Sequence, residues 1–340
     1  MRVQNLILSL TLVAGSMATE ADLLTRARGV FKPIPLDQAE LMKLIDNPKN
    51  PITPEKVDLG KKLYFDTRLS KSNLISCNTC HNLSLGGVDG VGAAIGHKWM
   101  ANPHHLNSPT VYNSVFNFKQ FWDGRAADLE EQAMGPIVAE PEMAATEMMV
   151  AHRIKASPEY VEEFAKVFGD EEISLTTIGK AIGAFERTLV TRAPFDEYLE
   201  GNQSALNEQE TRGLKLFMDK GCITCHSGVG VGGTMFQKFP LMGKYKYENV
   251  GDFKGNENGL TKVPILRNIT QTAPYLHNGA VWTLEEAVEI MAENQLGIKL
   301  SAEEVADIVA FMGSLEGEKP KIELPILPNW GPKTIRPNVN

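Results

Sequence analysis

The chain has 340 residues, of which 43% are hydrophobic, and it carries a formal net charge of −8. This length accommodates two domains of ordinary size, and the apolar content excludes a largely disordered chain. An acidic chain without a basic run binds nucleic acid poorly, so we expect no nucleic-acid partner. The negative charge suits a basic protein partner, although it is equally typical of a protein that is simply soluble.

The first 18 residues have the pattern of a secretory signal peptide. A positive start, M-R-V-Q-N, is followed by an apolar run over 6–15 and by the small-x-small ending Ser16-Met17-Ala18. The apolar run is too short to span a bilayer, and the alternative is a buried N-terminal helix. We therefore expect export, cleavage near Ala18 and a soluble mature protein with no membrane span.

All four cysteines fall into two copies of one motif, C-x-x-C-H, over 77–81 and 222–226. Two thiols at this spacing form thioether bonds with the two vinyl groups of a haem, and the adjacent His reaches the iron. Two disulfides are the alternative in an exported protein, but a disulfide needs no His beside it. A zinc site would bring the two pairs within about 15–20 residues of each other, whereas here they are far apart in the sequence. The sequence therefore predicts two c-type haems, held by Cys77, Cys80 and His81 and by Cys222, Cys225 and His226.

The two halves of the chain repeat each other beyond these motifs. The P-x-V-x-N of 109–113 matches the P-x-L-x-N of 264–268, at an offset of 264 − 109 = 155 residues. The Leu-Glu-Glu of 129–131 recurs at 284–286 with the same offset and no gap. A constant offset over more than twenty residues indicates duplication. We predict a mainly α fold of two cytochrome-c-like helical domains, each holding one covalently bound haem.

The predicted N-terminal domain covers 19–190 and the C-terminal domain covers 191–340. The second ends in a tail with five prolines from Lys319 onwards, which we expect to run extended over the surface. The glycine-rich stretch 228–233 is expected to be a flexible connector. Further helix starts are predicted at Ser157-Pro158, at Asn207 with Glu210, and at Ser301 with Glu304.

A ligand for the second iron is suggested by the helix predicted over 284–291. Its apolar residues follow the i, i+3, i+4, i+7 spacing of one helix face, and Thr283 with Glu286 suits a capping box at its start. Met291 lies on the apolar face and can offer its thioether to the iron, although methionine is more often core filling. The rival ligands are Met235, Met242 and Met312.

The first domain lacks this ligand at the equivalent position. The counterpart of Met291, at 291 − 155, is Pro136, which has no ligand atom and is expected to interrupt its helix. His/Met ligation raises the reduction potential of a haem, whereas an iron with a missing or displaceable ligand can bind peroxide. The repeat therefore predicts that the C-terminal haem takes in electrons and that the N-terminal haem performs the chemistry.

The sequence closely resembles the bacterial di-haem cytochrome c peroxidases over nearly the whole mature chain. Besides the two haem motifs, long and specific segments carry the resemblance: G-G-V-D at 86–89, I-G-H at 95–97, N-S-P-T at 107–110, F-W-D-G-R at 121–125, E-Q-A at 131–133, G-P at 135–136, P-x-L-R-N at 264–268 and T-x-P-Y-x-H at 272–277.

The resemblance implies the iron ligands. His81 and His226 would be the proximal ligands, and Met291 the distal ligand of the electron-accepting haem. His97 would be the distal ligand of the peroxidatic haem in the resting, oxidised state, on a loop that moves aside when the other haem is reduced. Between His97 and Asn107 this chain is two residues longer than the family pattern.

The resemblance also implies the catalytic residues. Glu142 and Gln132 would line the distal pocket, where Glu142 moves a proton and Gln132 orients the peroxide. Trp122 would lie between the haems and help electrons to cross. Outside this family pattern, each of these residues is more often a solvated or core side chain.

The remaining implied partners are a calcium ion, an electron donor and a second copy of the chain. Asn107 and the carbonyl oxygens of Thr272 and Pro274 would bind the calcium ion at the domain interface, and His277 would lie near the second haem. The donor would be a small c-type cytochrome or a cupredoxin in the periplasm, the oxidant hydrogen peroxide, and the assembly a homodimer.

Two other functions fit parts of this pattern. A di-haem electron-transfer cytochrome would keep both irons six-coordinate, which Pro136 and the Glu142/Gln132 pocket argue against. The second is the related di-haem enzyme that oxidises tryptophans during maturation of a quinone-bearing dehydrogenase. It has Tyr where this chain has Met291, and this difference favours the peroxidase.

Overall fold

The computed structural model describes residues 22–329 and residue 337, so the signal peptide predicted for 1–18 lies outside the described residues. The predicted mainly α fold is confirmed. The helices run in this order: α1 22–30, α2 Gln38–Ile45, α3 Pro54–Phe65, α4 Cys77–Cys80, α5 Leu129–Val138, α6 Glu147–Lys155, α7 Pro158–Phe168, α8 Leu175–Arg187, α9 Pro194–Glu200, α10 Glu208–Asp219, α11 Leu284–Met291 and α12 Ala302–Gly313. Within 22–329, none of them is both long and apolar enough to cross a membrane.

Local side chains set the starts of these helices. Ser157, Asn207 and Ser301 accept hydrogen bonds from the first turns of α7, α10 and α12, as predicted. Thr283 likewise caps α11 by accepting from the Glu286 backbone N–H. The predicted capping box there is only half formed, because the Glu286 carboxylate accepts from the Tyr247 hydroxyl instead (2.8 Å).

Two apolar cores form, one in each half of the molecule. The first is built by α3, α5, α6, α7 and α8, and the second by α9, α10, α11 and α12 together with the N-terminal α1. In the second core Leu23, Ala27 and Phe31 pack with residues of 195–315. The segment 22–31 thus joins the core of the second half, and the domain bounds 19–190 and 191–340 stay a prediction.

The repeat is visible in the backbone. Asn113 and Asn268, 155 residues apart, are both left-handed with φ of 60°. The isolated bridge between 120 and 126 recurs between 275 and 281, at the same offset. A two-stranded antiparallel ribbon, β1 Phe236–Gln237 with β2 Thr261–Lys262, follows the second haem motif. The duplicated construction predicted from the sequence is therefore confirmed as two cytochrome-c-type domains.

Proline 136 does not interrupt its helix, contrary to the prediction. α5 continues through it to Val138. α5 ends two residues further on, and its last carbonyls find partners outside the helix: Pro136 O accepts from Met143 N (3.1 Å) and Ile137 O from Ala145 N (2.9 Å).

Candidate haem sites

Two adjoining cavities contain the two C-x-x-C-H motifs. The first, of about 170 Å³, is lined by Cys77, Cys80 and His81. The second, of about 300 Å³, is lined by residues of the other motif: Cys222, Cys225 and His226. All four thiols are unpaired, so the disulfide alternative is not realised. Both cavities present two thiols and one imidazole, which is the set of groups that covalent haem attachment uses.

The imidazoles are oriented for iron ligation. His81 Nδ1 lies 2.9 Å from Pro109 O, and His226 Nδ1 lies 3.3 Å from Val231 O. Each carbonyl therefore favours the tautomer with the proton on Nδ1, which leaves the lone pair of Nε2 free to bind the iron. Burial lowers the pKa of His81 and lowers that of His226 to about 4, which keeps both rings neutral. A neutral imidazole held through Nδ1 fits a proximal haem ligand.

The glycine-rich stretch 228–233, predicted to be a flexible connector, instead packs closely against His226. Val231 is fully buried, and its carbonyl is the one that His226 faces. Gly232 has φ of 134°, and a Cβ there would lie 2.1 Å from Pro264 O. The glycines therefore allow the backbone to pack closely under the imidazole. A run of glycines in the sequence does not by itself distinguish such close packing from a flexible loop.

Met291 lies at the end of α11 and lines the second cavity. Among the rival methionines, Met312 lines the same cavity, whereas Met242 is 48% exposed. The repeat-equivalent Pro136 lines the first cavity and offers no ligand atom there. The two cavities thus differ at this position as the sequence predicted.

Polar groups border the first cavity on the side of α5. Gln132 and Glu142 both line it. Burial raises the pKa of the Glu142 carboxyl, and the opposing influence of Arg125 is smaller. A carboxyl with a raised pKa, in a cavity that is also lined by an amide that does not titrate, can hold or release a proton there.

His97 lies beside the first cavity, whose lining includes its neighbour Gly96 but not His97 itself. The His97 backbone N–H donates to Glu142 O (2.6 Å), and its buried Nδ1 has no hydrogen-bond partner. The next two residues, Lys98 and Trp99, are left-handed with φ of 62° and 61°, a conformation that costs energy for side chains of this size.

Trp122 and the segment 107–110 line both cavities. The indole Nε1 donates to Asn107 O (3.0 Å), and the ring meets the His277 ring edge-on at 6.4 Å. His277, at the repeat-equivalent position, also lines the second cavity. The structure therefore places Trp122 at the boundary of the two cavities, in contact with His277 on the side of the second.

Asn107, Thr272 and Pro274 lie together at this boundary, where all three line the second cavity. Asn107 Nδ2 donates to Pro274 O (2.7 Å) and to Leu276 O (3.1 Å). A calcium ion takes oxygen ligands, so it would require the Asn107 amide to turn by a half-rotation and present Oδ1 instead. The two ends of an amide are similar in shape, so that rotation would place Oδ1 beside the Pro274 and Leu276 carbonyl oxygens.

Two buried charged residues at the cavities were not identified from the sequence. Lys262 lines the second cavity, donates to Asn117 Oδ1 (3.1 Å), and has its pKa lowered to about 8 by burial. Glu186 of α8 lines the first cavity. A second, shorter repeat could have revealed Glu186: A-F-E-R-T-L at 184–189 matches A-F-M-G-S-L at 310–315.

The fold and the paired cavities define a two-domain c-type cytochrome. The family described as di-haem cytochrome c peroxidase matches residues 54–204, and the cytochrome c family matches 210–316. A cytochrome c551 peroxidase of Nitrosomonas europaea is 48% identical over 83% of this chain and 86% of that protein. The one of Pseudomonas aeruginosa is 44% identical over 97% of this chain and 96% of that protein. The chain belongs to the di-haem cytochrome c peroxidase family.

The solved structures agree with this assignment. A MauG-like protein associated with microbial copper homeostasis superposes with a TM-score of 0.71 at 30% identity, covering 80% of this chain and 93% of that one. The shared fold extends over both haem domains, and it supports two covalent haems as the cofactors of this chain.

Proposed function

We propose that this protein is a periplasmic peroxidase that reduces hydrogen peroxide to water with electrons from a small c-type cytochrome or a cupredoxin. The observation that carries the proposal is the difference between the two cavities. The second has the Met291 thioether at its wall, whereas the first has Pro136 at the equivalent position and Gln132 and Glu142 nearby.

The chemistry is divided between the cofactors and the side chains. When bound, the two haems supply an iron that reduces peroxide and a second iron that stores an electron. Reduction of one H₂O₂ to two H₂O consumes two electrons and two protons. Glu142 is suited to move a proton between the two peroxide oxygens, because burial raises its pKa towards the working pH. Gln132 orients the peroxide without titrating, and Trp122 provides an oxidisable ring between the cavities.

His97 is proposed to close the first cavity in the resting, oxidised state and to withdraw on reduction. Its Nδ1 has no partner in the present position, and the left-handed Lys98 and Trp99 give its loop a conformation that a rearrangement could relax. A high-spin signal that appears when the protein takes up one electron would show the withdrawal. A signal that stays low-spin throughout would exclude it.

The proposed calcium ion and homodimer rest on the family resemblance. The convergence of Asn107 with Pro274 O supports the ion site. Metal analysis of the purified protein before and after chelation, and its sedimentation at several concentrations, test the two proposals separately.

The proposed reaction is tested by replacing Glu142 with Gln. The variant keeps the shape of the side chain and removes its proton transfer, so peroxide turnover should fall by about 10²- to 10⁴-fold. Both haem spectra should persist. Glu140→Gln, at an exposed carboxylate two residues away, is the matched control and should retain full turnover. Equal turnover in both variants would remove Glu142 from the mechanism.

A further inference from the structure

Glu186 is a buried ionisable residue that the proposed reaction does not use. It lies on α8, is 4% exposed, and lines the first cavity together with Cys77, Cys80 and His81. Its Oε2 has no hydrogen-bond partner. A buried carboxyl without a full set of partners is costly, so its presence beside a cofactor cavity calls for a functional reason.

The repeat identifies which residue of the second domain is equivalent to Glu186. A Cβ on Gly60 would meet Ala181 O and Phe185 Cβ, and one on Gly213 would meet Asp307 O and Phe311 Cβ. The helices α8 and α12 are therefore equivalent at an offset of 311 − 185 = 126 residues.

The same offset holds one turn further along these helices. Asn113 N donates to Leu189 O, and Asn268 N donates to Leu315 O. Glu186 therefore corresponds to Met312, and Met312 lines the second cavity as Glu186 lines the first. Equivalent positions thus present an acid to one cavity and a neutral thioether to the other.

None of the ion pairs formed within residues 22–329 includes Glu186. The adjacent cation, Arg187, pairs with Glu130 of α5 (3.0 Å) and is directed away from the cavity. The other titratable groups that face Glu186 are Tyr64 of α3 and the Cys77 thiol of α4, which haem attachment converts into a thioether. Burial, with a smaller contribution from Glu130, raises the pKa of Glu186 to about 8, while burial raises that of Tyr64 far above neutrality.

We propose that Glu186 lowers the reduction potential of the first haem relative to the second, by placing an acidic group where the second domain has Met312. A negative charge beside the iron stabilises Fe(III) over Fe(II), and the buried, poorly solvated site strengthens this effect. Where the carboxylate is ionised, reduction draws in a proton: Fe(III), one electron from the donor, Glu–COO⁻ and a solvent proton give Fe(II) and Glu–COOH. The proposed effect requires a haem in each cavity, as the proposed function does, and it is independent of the identity of the oxidant.

The test is a spectroelectrochemical titration of both haems in the full di-haem protein. In Glu186→Gln, which keeps the size and polarity of the side chain, the potential of the first haem should shift upward. Its dependence on pH between about 6 and 9 should flatten, because the proton coupled to the electron is lost. The potential of the second haem should stay unchanged and serves as the internal control.

Two further measurements separate electrostatics from a structural role. A carboxylic acid C=O band should appear in the infrared difference spectrum of first-haem reduction and vanish in Glu186→Gln. The reciprocal change Met312→Glu should lower the potential of the second haem, with Met312→Gln as its matched control. An unchanged first-haem potential and pH slope in Glu186→Gln, with both haems retained, would overturn the proposal. Peroxide turnover of the unmodified protein is measured separately and tests only the proposed function.

Discussion

Asp196 and Arg267 form a bidentate ion pair in which both side chains are completely buried. The guanidinium donates to both carboxylate oxygens (2.8 and 2.6 Å) and, through Nε, to Val229 O (2.6 Å). Asp196 also accepts from the backbone N–H groups of Ile34 and Ala193. The pair therefore joins four segments of the chain, at Ile34, 193–196, Val229 and Arg267, and Val229 belongs to the loop that packs against His226.

Arg267→Met should reduce the free energy of unfolding by about 3–5 kcal/mol, because it leaves a carboxylate buried without its cation. Urea denaturation measures the loss. Lys43→Met removes the cation of an exposed pair with Glu40 and should cost under about 1 kcal/mol. A similar small loss in both variants would show that the buried carboxylate finds another partner.

Met291→His should lower the reduction potential of the second haem, since imidazole stabilises Fe(III) better than a thioether does. A redox titration monitored by visible spectroscopy measures it. Met242→His places the same group on an exposed side chain and should leave the potential unchanged. Should Met291→His also have no effect, Met312→Leu would identify whether the rival methionine of that cavity is the ligand.

At the scale of elements, each domain contains a close crossing of two helices at a glycine. α3 crosses α8 at Gly60, and α10 crosses α12 at Gly213. An added Cβ would lie 2.0 Å from Ala181 O in the first crossing and 1.8 Å from Asp307 O in the second. These glycines lower the helix propensity of α3 and α10, and the structure retains them because the backbones touch there.

Gly213→Ala should destabilise the protein by about 1–3 kcal/mol, because the methyl group forces α10 away from α12. Thermal unfolding followed by circular dichroism measures the change. Gly29→Ala is the matched control in an exposed helical position where an added Cβ meets nothing within 4 Å. It should stabilise by up to about 1 kcal/mol through helix propensity. If Gly213→Ala were equally stabilising, the close crossing would be refuted.

At the scale of the whole molecule, equivalent amides of the two repeats share one hydroxyl group as their acceptor. Thr191 is fully buried between them. Its Oγ1 accepts from Asn113 Nδ2 (2.7 Å) and from Asn268 Nδ2 (2.8 Å), which are repeat-equivalent amides. Together with the segment 107–110, which lines both cavities, this contact fixes how the two cavities lie relative to each other.

Thr191→Val should cost about 1–3 kcal/mol, because it keeps the side-chain shape and leaves two buried amide groups without their acceptor. Chemical unfolding should shift to lower denaturant for the spectral signals of both haems. Thr176→Val, at an exposed site of α8, should change stability by less than about 0.5 kcal/mol. A shift confined to one haem signal would mean that Thr191 does not couple the repeats.

The sequence by itself determined the features that depend on local spacing. The C-x-x-C-H motifs, the constant offset of the repeat, the caps Ser157, Asn207 and Ser301, and the contrast of Met291 with Pro136 could all be read along the chain. Each involves residues a few positions apart, or two copies of one pattern, so no knowledge of the packing was required.

Only the tertiary structure decided the rest. It kept α5 helical through Pro136 and packed the glycines of 228–233 under His226. In each case the outcome depends on atoms contributed by distant parts of the chain. Burial, desolvation and close backbone contact are properties of those neighbours, so spacing along the sequence could not specify them.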